Sequence, residues 1–201
     1  MRNKFITFEG GEGSGKTTQV KMLQEYFTLK GIESVLTREP GGTKVSEDIR
    51  DIFINSNDLD VKTELLLNMS ARSEHIDKLI LPAISDNKIV ICDRFIDSTY
   101  VYQGVLGGFG GERVFELHDK LFEFFMPDLT FFMDIHPEEC LNRISSRVEE
   151  GNRFDNKGLE YHIRIYNAFK ELAVKYPDRI KVIDASADAI KVHNTILEYL
   201  L

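Results

Sequence analysis

The chain has 201 residues, 42% of them hydrophobic, which suits one globular domain with its own buried core and makes a second full domain unexpected. A formal net charge of −8 disfavours a surface that tracks a nucleic-acid backbone, although local basic residues can still grip a single nucleotide. Two cysteines, Cys92 and Cys140, show neither C-x-x-C spacing nor the density of a disulfide scaffold. No apolar run reaches the length of a membrane span, and the N-terminus enters a strand without a cleavable signal pattern, so a soluble, reduced, cytoplasmic protein is expected.

In chain order, Ile6, Phe8 and their neighbours form a short apolar strand that runs straight into Gly10-Gly11-Glu12-Gly13-Ser14-Gly15-Lys16-Thr17. That octet fits G-x-x-x-x-G-K-[ST], a loop whose backbone N–H groups wrap a polyphosphate. Side chains at Gly10, Gly13 or Gly15 would block close approach or forbid the positive φ angles that aim the N–H groups inward. Lys16 brings a mobile cation, Thr17 a hydroxyl ligand for Mg²⁺, and the following helix its positive end. Apolar residues at Val20, Leu23, Phe27 and Leu29 predict that helix over 19–29.

A second strand is predicted over 33–37, with Arg38-Glu39-Pro40-Gly41-Gly42-Thr43 as the turn leaving it. A helix over 47–54 follows, with Ile49, Ile52 and Phe53 inward, and then a long helical region over 61–85 that Pro82 bends or shortens. The third strand, 88–92, leads directly into Asp93-Arg94 and a helix over 95–105. Beyond a glycine-rich break come a helix over 112–125, a strand over 129–135 and a helix over 137–147. The segment 148–157 is polar and aperiodic and reads as a mobile lid; a helix over 159–175, a strand over 179–183 and a helix over 187–201 close the chain. Strands alternating with helices imply an α/β fold, a five-stranded parallel sheet flanked by helices on both faces.

Ligands of such sheets gather at the C-terminal strand ends, where Glu9, Arg38 and Asp93 fall. Beside a phosphate loop, these residues and Arg94 suggest a second anionic substrate, with Asp93 organising Mg²⁺ directly or through water. Arg143 and Arg147 share a helix face and Arg153 follows in the polar segment, where guanidinium groups can stabilise a transferring phosphoryl group and exclude water.

The stretches FEGGEGSGKTTQ, TREPGGT, TELLLNMSAR, CDRFIDSTYVYQG and PDLTFFMDI together resemble the bacterial thymidylate kinase family over essentially the whole chain. The resemblance implies a three-layer P-loop NTP hydrolase-type fold in a single domain over 1–201, and transfer of the ATP γ-phosphoryl group to dTMP with Mg²⁺. It implies that Gly10 to Gly15, Lys16 and Thr17 hold the ATP phosphates and metal, and that Arg143 packs on adenine. Glu12 would face the deoxyribose 3′-hydroxyl, and Arg38, Arg50 and Arg94 the acceptor phosphate, with Glu39 and Asp93 shaping the metal and phosphate surroundings. Arg72 would bond the thymine edge, Thr99 and Gln103 would contact the base, and Tyr102 would crowd a ribose 2′-hydroxyl. Lys16, Arg94, Arg147 and Arg153 would be catalytic, the last two from the lid, and the partners would be ATP, dTMP and a second copy of the chain.

One position departs from the family pattern. The ring that usually stacks on thymine, four residues before the base-reading arginine, is replaced by Asn68, which predicts weaker or less selective pyrimidine binding. A nucleoside kinase shares the loop and sheet but not the need for so many acceptor arginines. A regulatory guanine-nucleotide switch needs an N-K-x-D loop, and Asn87-Lys88 and Asn156-Lys157 do not continue that way.

Overall fold

The five strands of the computed structural model, which describes residues 4–56, 58–145 and 157–200, form one parallel sheet in the order β2-β3-β1-β4-β5. They are β1 (Phe5–Glu9), β2 (Ser34–Arg38), β3 (Ile89–Asp93), β4 (Leu129–Asp134) and β5 (Ile180–Asp184), with Phe8 opposite Asp93 and Arg38 beside it in the β2–β3 register. The central strands are buried on both faces, which is why FITFE and IVICD read as nearly continuous apolar runs. Alternate residues face opposite ways. Ile6 and Phe8 pack with Val20, Leu23 and Phe27 of α1 (Lys16–Leu29), while Phe5, Val90 and Cys92 pack with Leu65 and Met69 of α3 (Val61–His75) and with Phe95. Each such fully buried side chain contributes about 1.5–3 kcal/mol, so the three-layer arrangement follows from the strand pattern.

Most expected elements form, with shifts where caps and loops override periodicity. Helix α1 starts at Lys16, because the phosphate loop feeds it without a break. Helix α2 (Lys44–Asn55) starts earlier than expected because the Thr43 hydroxyl accepts the Ser46 N–H at 3.2 Å. Its inward face includes Phe53 but not Ile52, which is 52% exposed; Ser46 is buried instead and donates to the Ala71 carbonyl.

The long helical region is continuous but uneven. Pro82 cannot donate to the helical ladder, and a π-helical stretch at Ile76–Ile80 falls just ahead of it, between α3 and α4 (Leu81–Ser85). The expected helix over 95–105 is a short α5 (Ile96–Thr99) followed by a π-helical segment, Tyr100–Leu106, a widening that hydrophobic spacing does not encode. Helix α6 (Gly111–Phe122) stops short of the expected end because Glu123 and Phe124 turn to positive φ. The remaining helices are α7 (Pro137–Ser145), α8 (Leu159–Lys175) and α9 (Ala189–Glu198). Both cysteines are buried free thiols whose pKa burial raises, so neither is poised as a nucleophile. No described helix is long and apolar enough to cross a membrane.

Candidate active site

The glycines after β1 shape a loop over the N-terminus of α1, with φ of 141° at Gly10, 75° at Gly13 and 92° at Gly15. At Gly13 a Cβ would meet the Cys140 carbonyl oxygen at 2.6 Å, so both backbone angle and space demand glycine. Lys16 lies across the loop, its Nζ donating to the carbonyls of Gly11 at 2.7 Å and Gly10 at 3.1 Å and to Ser14 Oγ at 3.3 Å. These three partners are neutral. Burial, then the Arg94 charge, push the Lys16 pKa down to about 8. One helical step on, Thr17 Oγ1 donates to Asp93 Oδ2 at 2.8 Å, joining the loop to the end of β3.

Arg94, immediately after β3, has φ of +70°, a conformation costing a non-glycine residue about 1–2 kcal/mol, and is held there by its contacts. Its guanidinium donates to Glu12 Oε1 at 2.8 Å, to the Gly10 carbonyl at 2.9 Å and to Ser98 Oγ at 3.0 Å, and lies 5.3 Å from the Tyr102 ring centroid. The Tyr102 hydroxyl donates to both Glu12 oxygens, at 2.9 and 2.8 Å. Burial alone would raise the Glu12 pKa, but the charges of Arg94 and Lys16 carry it below the ordinary value. Glu12 therefore stays ionised between two cations.

Glu9 does not join that group. It is 0% exposed and accepts from the Phe95 N–H at 2.7 Å and Ser98 Oγ at 2.5 Å, bracing the chain after Arg94 from beneath. Burial and the nearby Asp97 carboxylate push its pKa up to about 8.

The loop and several arginines line one cleft of about 310 Å³. Arg38, Arg50 and Arg94 lie along it; Arg38 donates to Glu47 at 2.9 Å and Arg50 to the Pro40 carbonyl at 2.8 Å. Burial, then the neighbouring Arg38 charge, lower the Arg50 pKa, the signature of crowded cations suited to an anion. At the far end Arg72, 2% exposed, donates through Nε to Glu39 Oε2 and through Nη2 to Thr99 Oγ1, each at 2.8 Å, with its guanidinium 4.8 Å from the Phe95 ring centroid. Gln103 Nε2 donates to Glu64 Oε2 at 2.9 Å and Asn68 Nδ2 to the Glu64 carbonyl at 3.0 Å, so both amides line the cleft with one donor turned to α3.

Glu39, expected beside metal and phosphate, directs both carboxylate oxygens to Arg72 and His75, because a buried guanidinium requires a counter-charge. Glu12, Lys16, Thr17, Arg38, Glu39, Arg50, Asn68, Arg72, Asp93, Arg94, Thr99, Tyr102 and Gln103 all line the cleft. Arg143 does not line this cleft; it donates to Glu139 at 2.9 Å and to the Ala185 carbonyl at 3.2 Å. Arg147, Arg153 and residues 148–156 of the expected lid lie outside the described residues. Sequence reasoning missed the cleft-lining roles of Phe53, Ile54 and Ser98 and the support from His75. For His75 the signal was its i, i+3 spacing from Arg72 on α3.

The thymidylate kinase family model matches residues 8–196. A thymidylate kinase of Clostridium novyi (strain NT) is 44% identical over 202 residues, covering 99% of this chain and 98% of the relative. One of Rickettsia africae (strain ESF-5) is 46% identical over 200 residues with the same coverage. The crystal structure of thymidylate kinase from Ehrlichia chaffeensis superposes with a TM-score of 0.79 at 37% identity, covering 98% of each chain.

Proposed function

The chain belongs to the thymidylate kinase family, and from that premise we propose that its cleft transfers the γ-phosphoryl group of ATP to dTMP, giving dTDP and ADP. The observation that carries this reading is that the phosphate loop and the guanidinium groups of Arg38, Arg50 and Arg94 share one cleft. Such a cationic wall matches an acceptor that already bears phosphate and is superfluous for a neutral nucleoside.

A phosphate monoester oxygen is already a competent nucleophile, so the protein's contribution is alignment and charge neutralisation. Backbone N–H groups of Gly10 to Gly15 and the N-terminus of α1 bind the ATP phosphates, while Lys16 neutralises charge that develops on the transferring group. Arg94, with Arg38 and Arg50, clamps the acceptor phosphate; Glu12 and Tyr102 flank its sugar, Tyr102 leaving little room for a 2′-hydroxyl. Arg72, Thr99 and Gln103 meet the base edge. Arg143 would pack on adenine, and Arg147 and Arg153 would add positive charge from a lid; these three roles rest on the family resemblance.

The adjacent oxygens of Thr17 and Asp93 fit Mg²⁺, a hard cation that takes one or two protein oxygens and completes its shell with water and phosphate. Among the described residues no group of three or more histidine, cysteine, aspartate or glutamate side chains is arranged for a metal, consistent with that sparse mode. When bound, Mg²⁺ would neutralise phosphate charge; Thr17 and Asp93 would hold it. Leu66 of α3 and Leu121 of α6, 62% and 53% exposed on helices that pack over the same sheet face, support a homodimer, and the reading implies a cytoplasmic enzyme.

Mixing the purified protein with ATP, Mg²⁺ and, separately, dTMP, dUMP, thymidine or dCMP tests the reading. ADP should form with dTMP and not with thymidine; turnover with thymidine alone would make it a nucleoside kinase. In the same assay kcat/KM for ATP should fall about tenfold per pH unit above about pH 8, where Lys16 loses its proton. At saturating ATP, kcat should hold to higher pH, because bound polyphosphate favours the protonated amine.

A ring at position 68 would regain base-stacking area that an amide lacks, although Phe53 of α2 also lines the cleft. Asn68→Phe is expected to lower KM for dTMP by about 2- to 10-fold with little change in kcat. An unchanged or higher KM would show that the missing ring does not limit affinity.

A further inference from the structure

The Arg38-to-Thr43 loop is latched to the end of α3 by a side chain with no place in phosphoryl transfer. His75 is 0% exposed, with Nδ1 2.9 Å from Glu39 Oε1 and Nε2 2.7 Å from Thr37 Oγ1. The ring also packs on the loop backbone: a Cβ at Gly42, where φ is +90°, would come within 2.6 Å of it. Glu39 is held in its ionised form; burial opposes this, but the Arg72 charge and the His75 hydrogen bond outweigh it. An ionised carboxylate only accepts, so Nδ1 of His75 donates to Glu39, and Nε2 is paired with the Thr37 hydroxyl.

We propose that His75 is a positioning residue for base recognition: it fixes the Glu39 carboxylate, which in turn fixes the buried Arg72 guanidinium in the wall of the cleft. Glu39 Oε2 and Thr99 Oγ1 occupy Nε and Nη2 of Arg72, and the Phe95 ring lies against the guanidinium. That geometry leaves the Nη1 side, near Met69 Sδ at 3.8 Å, to meet the base. A guanidinium only donates, so an arginine held there accepts a pyrimidine whose edge presents a carbonyl oxygen and repels one that presents an amino group. Without His75, Glu39 Oε1 keeps no donor in a buried place, the carboxylate turns, and the donor edge of Arg72 turns with it. The chain Thr37–His75–Glu39–Arg72 thus runs from the second strand to the base, and His75 acts on selectivity through it without touching substrate.

This inference rests on the reading of the cleft as a dTMP site, and wild-type turnover of dTMP is measured first. A wild type inert toward dTMP would overturn that reading and this inference with it. Given wild-type activity, steady-state kinetics on His75→Ala, His75→Asn and His75→Gln decide the matter. His75→Ala should raise KM for dTMP about tenfold to a hundredfold, hold kcat within about threefold, leave KM for ATP unchanged and narrow the preference for dTMP over dCMP. His75→Asn keeps an amide donor where Nδ1 stood and should recover most of the KM and the preference. His75→Gln carries its amide toward Thr37 and should not. Wild-type KM and preference in a folded His75→Ala protein would overturn the proposal. If His75→Ala does not fold, equal KM values for dTMP in His75→Asn and His75→Gln would overturn it.

Discussion

Truncation of Lys16 to alanine is expected to lower kcat by about 10³-fold or more while the melting temperature stays within a few degrees of wild type. The side chain bonds two loop carbonyls and the Ser14 hydroxyl, but burial already works against its charge, so little folding energy is lost. Its charge, by contrast, is the cation of the phosphate loop, and no other described lysine lines the cleft. A factor of 10³ is about 4 kcal/mol of transition-state stabilisation, within reach of one preorganised charge in a site that excludes water. Single-turnover measurement with enzyme in excess isolates the step, and wild-type turnover in Lys16→Ala would remove the residue from the mechanism.

Arg94→Ala should cost about 10²- to 10⁴-fold in kcat/KM for dTMP and also destabilise the protein, because Arg94 does two things at once. It lines the cleft where the proposed acceptor phosphate would sit, and it is the ion-pair partner of Glu12, whose side chain is only 11% exposed. Removing one member of a buried pair strands the other charge, typically at about 3–5 kcal/mol, here softened by the Tyr102 hydroxyl and by Lys16. The two contributions separate in a double variant. Adding Glu12→Gln to Arg94→Ala should recover much of the melting temperature and none of the turnover. Arg94→Lys should keep stability better than Arg94→Ala yet remain far below wild type, since an ammonium cannot bond Glu12, Gly10 and a phosphate from one planar fork. Near-wild-type kinetics in Arg94→Ala would show that the acceptor phosphate is held elsewhere.

The sheet was legible because its central strands β1 and β3 are buried on both faces and therefore written as nearly continuous apolar runs, and the ends of β1, β2 and β3 fall at the same edge: Glu9, Arg38 and Asp93. The phosphate loop was legible because a required conformation leaves glycine at Gly10, Gly13 and Gly15. Direction within the site was not. Glu9 ends β1 and Glu39 follows β2, places where a charge reads as ligand-facing. Yet one turns inward to brace Phe95 and Ser98, the other to neutralise Arg72. Those choices depend on which buried donors arrive from distant parts of the chain. The π-helical segment Tyr100–Leu106, which carries Tyr102 and Gln103 to the cleft, is equally invisible to a pattern of apolar spacing. His75 reads as one more polar residue near a helix end until the loop after β2 folds over it.

The fate of the label from γ-³²P-ATP decides whether this one cleft moves a γ-phosphoryl group onto a nucleotide phosphate. With dTMP and Mg²⁺ present, the label should appear in dTDP, in step with ADP and only when dTMP is supplied. Label released as inorganic phosphate at the same rate with or without dTMP would contradict the account and leave an ATP hydrolase in its place.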